Sequence, residues 1–292
     1  MCRQKFTDYK NSPLRGHRGN PLKTTSIIMA AGRGSRMKDY SGNKTLLPLI
    51  AGTSPFYGRR PILRHIIENL PAGPKTVVVN HQKEDVIKAT GSMGLHFCEQ
   101  PVLNGTGGAL LAAEDFIRQS DCENIIITMG DVPFVSSDTY QRLLERLSDT
   151  QMVVLGFSPD DKKKYGILEI DGTGVSKITE WKYWKNYPSE KQAALFVCNS
   201  GIYAIKKTAL VPYLSVLAQR PQIVVKVVNG VSTKIKEFFI TDLVEYMVSD
   251  GLSIGYVLAE DETETMGVDD PDALLKAQGI YKKRYVKTSS ND

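Results

Sequence analysis

Compact apolar runs alternate with stretches of helical periodicity over the first half of the chain. Residues 27–31, 76–80, 95–100 and 124–129 are short apolar or β-branched runs of the kind that form buried strands. Between them Ile62, Ile66 and Leu70 stand at helical spacing behind Pro61, and residues 84–90, 109–117 and 136–147 read as further helices. Strands that alternate with helices predict a parallel sheet. Residues 52–60 show neither period and read as irregular. After Asp149 the pattern changes: 152–157 is a strand, 161–164 an exposed charged turn, and 166–170 with 175–179 a hairpin about Asp171-Gly172. A helix over 208–219, a strand over 253–258 and a last helix from near Pro271 complete the pattern. The expected fold is one Rossmann-like α/β domain with a mainly parallel mixed sheet and a small β-rich lobe.

Length and composition leave this intact. A chain of 292 residues with 41% apolar content can bury an ordinary core. No apolar run approaches membrane-spanning length and the N-terminus lacks the apolar segment of a secretory signal, so a cytoplasmic protein with no membrane partner is expected. Cys2, Cys98, Cys122 and Cys198 show no metal-ligand spacing and read as reduced thiols. The net charge of +5 is accounted for by residues 1–23, where six Lys/Arg stand against Asp8. Pro13, Gly16, Gly19 and Pro21 break any amphipathic helix there, so this arm is expected to be a solvated, flexible tail, with no nucleic-acid partner. The expected division is an arm over 1–23, a domain over 24–280 and a tail over 281–292.

Candidate chemistry is densest after the first strand, in Ala30-Ala31-Gly32-Arg33-Gly34-Ser35-Arg36-Met37, followed by Lys44. Glycines let backbone N–H groups converge on an anion, and Arg36 and Lys44 add full charge. The spelling excludes a Walker A loop, which needs Gly-Lys-Ser/Thr, and a dinucleotide fingerprint, which needs glycine at Met37. A second loop, from Gln100 to Gly105, Thr106 and Gly107, leaves a strand and enters a helix. Asp131, in Met129-Gly130-Asp131-Val132-Pro133, ends a central strand, at the edge where open α/β sheets bind ligands.

Together these segments resemble the signature of the sugar-phosphate nucleotidyltransferases, and within them the N-acetylglucosamine-1-phosphate uridyltransferases. The resemblance runs in order from about Thr25 to about Gln278. It implies that Ala30, Ala31, Gly32 and Gly34 meet the base and phosphates of a nucleoside triphosphate, that Arg36 and Lys44 hold its phosphates, and that Gln100, Gly105 and Thr106 contact the pyrimidine. It makes Asp131 and Asp269 ligands of Mg2+, and Gly166, Glu180, Asn199 and Thr241 the residues that read an N-acetylated sugar in a β-rich acceptor lobe. Two departures stand out: Met129 replaces the family's tyrosine, and Trp181-Lys182-Tyr183-Trp184 replaces a polar stretch. Those aromatics serve either to stack on the acceptor or to form a structural cluster beneath a loop. Thr241 and Asp270 are also candidate helix caps.

The implied reaction is attack of a sugar 1-phosphate oxygen on the α-phosphorus of UTP, releasing pyrophosphate, with catalysis by Arg36, Lys44 and Asp131. The alternatives are another nucleoside triphosphate or phosphate acceptor, or a non-catalytic nucleotide-binding paralogue. The hexapeptide repeat that follows this region in bacterial members is not seen. Neither acetyl transfer nor the trimer such repeats impose is therefore expected, leaving a monomer or small homo-oligomer.

Overall fold

The computed structural model describes residues 23–37, 40–228 and 231–286. The basic arm, apart from Lys23, and residues 287–292 lie outside these. The chain enters strand β1 (Thr24–Met29), then a hairpin of β2 (Pro48–Ser54) and β3 (Tyr57–Pro61), and helix α1 (Ile62–Asn69). Strand β4 (Lys75–Val79), helix α2 (Lys83–Thr90) and strand β5 (His96–Glu99) follow. Helices α3 (Thr106–Ala112) and α4 (Glu114–Gln119) lead to strand β6 (Asn124–Met129), helix α5 (Ser137–Arg146) and strand β7 (Met152–Phe157). The lobe contributes β8 (Ile167–Asp171), β9 (Gly174–Thr179) and the short helices α6 (Trp181–Trp184) and α7 (Ser189–Ala194). Strand β10 (Cys198–Lys206), helix α8 (Lys207–Gln219), a second hairpin of β11 (Gln222–Val228) and β12 (Val231–Glu237), helix α9 (Asp242–Ser249), strand β13 (Ile254–Leu258) and helix α10 (Pro271–Tyr285) complete it.

The main sheet runs β13-β7-β10-β6-β1-β4-β5, with β8 and β9 attached through β10. β1 pairs in parallel with β4 and β6, β4 with β5, and β7 with β13; β10 alone on this path runs antiparallel to both neighbours. The expected α/β fold with a mainly parallel mixed sheet is therefore what forms. The chain steps from β1 outward to β4 and β5, then returns to β6 on the other side of β1. That reversal opens a crevice beyond the ends of β1 and β6, where α/β sheets of this kind take their ligands. Both strands are buried on both faces, their apolar stretches at residues 27–29 and 125–127 packing into the core.

Three expectations change. Residues 52–60 are a hairpin, not irregular: Gln278 on α10 donates to Pro48 O at 2.8 Å and Pro55 O at 2.7 Å, so a distant helix supplies its support. Gly58 is required there, because a Cβ would stand 2.1 Å from Ile50 O across the hairpin. The helix expected over 109–117 starts earlier and breaks at Ala113, whose N–H bonds Leu110 O and Leu111 O. α10 runs five residues past 280, because Tyr281 is buried and stacks on Tyr285 with rings 4.9 Å apart. His65 in α1 is a buried helix histidine, as its apolar neighbours suggest. Its Nδ1 meets Arg60 at 3.2 Å, and burial, then the Arg60 charge, pushes its pKa down to about 4.

Candidate active site

Beyond β1 the chain turns through a loop whose shape two residues decide. Gly34 has φ +62°, a conformation in which a side chain is strained. A Cβ there would press on the Lys44 stem at 3.2 Å. At Gly32 a Cβ would meet nothing within 4 Å, so the protein alone makes no demand for glycine there. Ala30 and Ala31 are buried at the strand end, with the Ala30 N–H on Val78 O at 2.9 Å.

Lys44 joins the parts. Its Nζ contacts Asp131 Oδ2 and, at 2.8 Å, Asp269 Oδ1; Arg36 reaches the same Asp269 oxygen at 2.8 Å. Lys44 and Asp131 side chains are 13% and 16% exposed, Asp269 32% and Arg36 72%, so the first pair is shielded and the arginine lies at the surface. Burial opposes the Lys44 charge, but the two carboxylates outweigh it and hold its pKa above the usual lysine range. Asp131 is aimed by its backbone, whose carbonyl accepts from Val268 N at 2.8 Å, drawing the Asp269 segment against the end of β6. Asp270, not Asp269, caps α10: its Oδ1 accepts from Ala273 N at 2.9 Å, leaving Asp269 for the crevice.

Asn43 gave no signal in the sequence, yet it positions this group. It is buried, donates to Ala30 O at 3.3 Å and His81 O at 2.8 Å, and accepts from Thr45 N and Thr45 Oγ1. It thus ties the loop after β1, the loop after β4 and the base of Lys44 together. Asn43→Ala is expected to cost about 2 kcal/mol of stability, the scale of unsatisfied buried polar groups, and to lower turnover about tenfold. Urea unfolding and initial rates measure the two, and unchanged values would refute the role.

The second loop is also stitched internally. Gln100 is buried and its Nε2 donates to Asn104 Oδ1 at 3.0 Å and Gly105 O at 3.1 Å. Gly105 has φ +94°, and a Cβ would stand 2.4 Å from Phe238 O. Thr106 Oγ1 accepts from Ile240 N at 3.2 Å, so the loop is fastened to the segment that carries Thr241. The Gln100 amide nitrogen therefore faces its own loop.

Gly166, Glu180, Asn199 and Thr241 come together in one cleft of about 620 Å³, shared with Thr106 and Met129. Asn199 is the second residue of β10, the antiparallel strand, whose N-terminal end reaches the edge where parallel strands end. Its Nδ2 donates to Tyr203 OH at 2.9 Å and its Oδ1 accepts from Gly201 N at 3.1 Å. Glu180 accepts from Thr241 Oγ1 at 3.4 Å; Thr241 makes no helix cap. Burial raises the Glu180 pKa, with the Thr241 bond opposing. Burial, then the Asp269 charge, raises the pKa of the Tyr165 phenol, whose ring lines this cleft.

The Trp181–Trp184 turn divides its roles. Trp184 is buried, donates Nε1–H to Tyr165 O at 2.8 Å and packs with Phe157, Ile167 and Cys198. Trp181 lines the cleft, but Lys164 and Lys185 ammonium groups lie 5.1 and 4.6 Å from its ring centre. Val224 and Val225, from the β11–β12 hairpin, and Tyr203 line the cleft without having been legible in the sequence.

Among the described residues no three His, Cys, Asp or Glu side chains converge as a ready-made metal site. Asp131 and Asp269 nevertheless meet one common cation, the Lys44 ammonium, so the two carboxylates converge on one cationic position. Two hard carboxylates fit Mg2+, which keeps its other positions for water and substrate phosphates. No helix among the described residues is long and apolar enough to cross a membrane.

The MobA-like NTP transferase domain matches residues 26–198. The bifunctional protein GlmU of Novosphingobium aromaticivorans is 31% identical over 264 residues, 88% of this chain and 52% of the relative. That of Roseobacter denitrificans is 31% identical over 268 residues, 90% of this chain and 54% of the relative. The chain thus spans about half the length of these curated relatives. Among solved structures, a provisionally assigned glucose-1-phosphate thymidylyltransferase of Bacillus anthracis superposes with a TM-score of 0.65 at 19% identity, covering 91% of this chain and 98% of that one, a likeness of fold.

Proposed function

This chain belongs to the MobA-like NTP transferase family, and on that premise we propose that it joins UTP to a sugar 1-phosphate of the N-acetylglucosamine type, forming a UDP-sugar and pyrophosphate. The observation that carries the reading is Lys44 held between Asp131 and Asp269 at the end of β6, beside a cleft that gathers Gly166, Glu180, Asn199 and Thr241. The GlmU relatives favour the uridyl and N-acetylglucosamine assignments within it.

The acceptor's phosphate is already anionic and needs no general base. Catalysis is then positioning and charge neutralisation. Arg36 and Lys44 exchange their carboxylate contacts for triphosphate oxygens, the exposed arginine closing over the chain of phosphates. Ala31, Gly32 and Gly34 frame the nucleotide with backbone amides above Ala30, whose own N–H is held by Val78 O, and Gly105 and Thr106 close the base side in a shape that Gln100 maintains. Glu180 and Asn199 accept and donate hydrogen bonds to the sugar, fixing its phosphate for in-line attack. Asp131 and Asp269 would hold Mg2+, which when bound neutralises phosphate charge and orients the triphosphate.

Magnesium-dependent pyrophosphate release, from five nucleoside triphosphates crossed with a panel of sugar 1-phosphates, tests the reading. Release confined to UTP with N-acetylglucosamine 1-phosphate or an acceptor built on that sugar is expected; another productive pair would move the specificity, and silence throughout would refute transfer.

Glu180 supplies a separable check. Its raised folded-state pKa means that folding favours the protonated form, so its contribution is present at acid pH and lost as pH rises through that pKa. Glu180→Gln is therefore expected to be at least as stable as the parent at pH 7, while the acceptor KM rises about tenfold, the scale of one charge-assisted hydrogen bond. A variant both less stable and unchanged in KM would contradict it.

A further inference from the structure

The acceptor cleft carries more positive charge than a neutral sugar ring uses. Lys164 and Lys182 line it along with Glu180, Asn199 and Thr241. Among the described residues neither lysine has a carboxylate within ion-pair distance, whereas Arg36 and Lys44 are both paired with Asp269. Their ammonium groups rest on rings instead. Lys182 Nζ lies 4.7 Å from the Tyr183 ring centre and 5.8 Å from that of Phe239, and Lys164 Nζ lies 5.1 Å from Trp181. A ring face stabilises an ammonium and orients it without neutralising it, so the charge remains available to an anion.

Lys182 is also placed at the sugar-reading end. Its charge acts on the Glu180 and Asp242 carboxylates, and its ring partner Phe239 stands two residues before Thr241. The reacting phosphate belongs at Lys44 and Asp131. A neutral ring bound against Lys182 and Lys164 would strip water from both ammonium groups with nothing in return, an unfavourable exchange that an anionic substituent reverses. Glu180, which lines the same cleft, suits the ring's hydroxyl and amide donors.

Resting on the transferase reading above, we propose that the acceptor is a sugar 1-phosphate bearing a second anionic group, a ring-borne carboxylate or phosphate, held by Lys182 and Lys164. This makes the two lysines specificity-determining residues, and Trp181 a platform that holds Lys164 rather than a surface for the sugar.

The test compares matched acceptors with UTP and Mg2+. N-acetylglucosamine 1-phosphate is set against the same sugar carrying a 6-phosphate or a 3-O-lactyl carboxylate, and glucose 1-phosphate against glucuronic acid 1-phosphate. At least one anionic member is expected to exceed its neutral partner about tenfold in kcat/KM, and the arm that does so identifies carboxylate or phosphate. In the Lys164→Gln/Lys182→Gln double variant that ratio falls toward one, and in the parent it shrinks with added salt. Neutral acceptors that match or exceed every anionic partner overturn the proposal while leaving the transferase reading intact. A double variant that loses both members of a pair equally also overturns it, since the lysines would then serve the shared 1-phosphate. Silence with every acceptor, together with no heat of acceptor binding, refutes the transferase reading and this inference with it.

Discussion

Asp131→Asn is expected to lose about a thousandfold in turnover or more, with its unfolding midpoint within a few degrees of the parent. The substitution keeps the side-chain shape and the backbone carbonyl that accepts from Val268 N, so the end of β6 stays joined to the Asp269 segment. What goes is one of the two carboxylates that can share a divalent ion, and with it the orientation of the triphosphate. Removing one preorganised electrostatic group from a transfer site costs roughly two to three orders of magnitude, and loss of a bound metal adds to that. Pyrophosphate release at saturating substrates gives the first quantity and thermal unfolding by circular dichroism the second. A variant within tenfold of the parent would remove Asp131 from the mechanism. Chelation by EDTA should abolish parental turnover, and added Mg2+ should restore it.

Lys44→Met is expected to lose about a hundredfold or more in turnover and also to destabilise the fold by about 1–3 kcal/mol, because it leaves the shielded Asp131 carboxylate without its cation, beside the Asp269 carboxylate. The stability loss separates Lys44 from Asp131 experimentally. Adding Asp131→Asn to Lys44→Met removes one of the stranded charges, so the double variant should be more stable than Lys44→Met alone, a coupling that a double-mutant cycle in urea reads directly. Lys44 remains charged across pH 6–9, since its folded-state pKa lies above its ordinary value and the stability it contributes is lost only as pH rises through that pKa. The destabilisation should therefore not vary with pH in that range. Additive changes, or a Lys44→Met protein as stable as the parent, would show that the triad is not a unit.

The sheet was legible because its strands announce themselves. The strands ending at Met29 and Met129 are buried on both faces, and their apolar stretches at residues 27–29 and 125–127 mark them in the sequence. Their ends carry Gly34, Lys44 and Asp131 in spellings with few alternative uses. The cleft residues Gly166, Glu180, Asn199 and Thr241 were legible only by resemblance, since no period or spacing links positions so distant in the chain. The β2–β3 hairpin was not legible, as its support comes from Gln278 on the last helix. Asn43 was hidden for a similar reason: its partners are mostly backbone groups, which carry no sequence.

By itself the sequence determined the alternation that builds a parallel sheet, the glycine and lysine of the first loop, and the carboxylate at the end of the central strand. These follow from local rules of backbone freedom, periodicity and charge. Only the tertiary structure decided that Asp131 and Asp269 meet on one Lys44, that Trp184 is core while Trp181 carries lysines, and that Asn199 enters the cleft. Each of those depends on which strand ends share an edge, and the antiparallel insertion of β10 between β6 and β7 sets that edge through pairing between residues far apart in the chain.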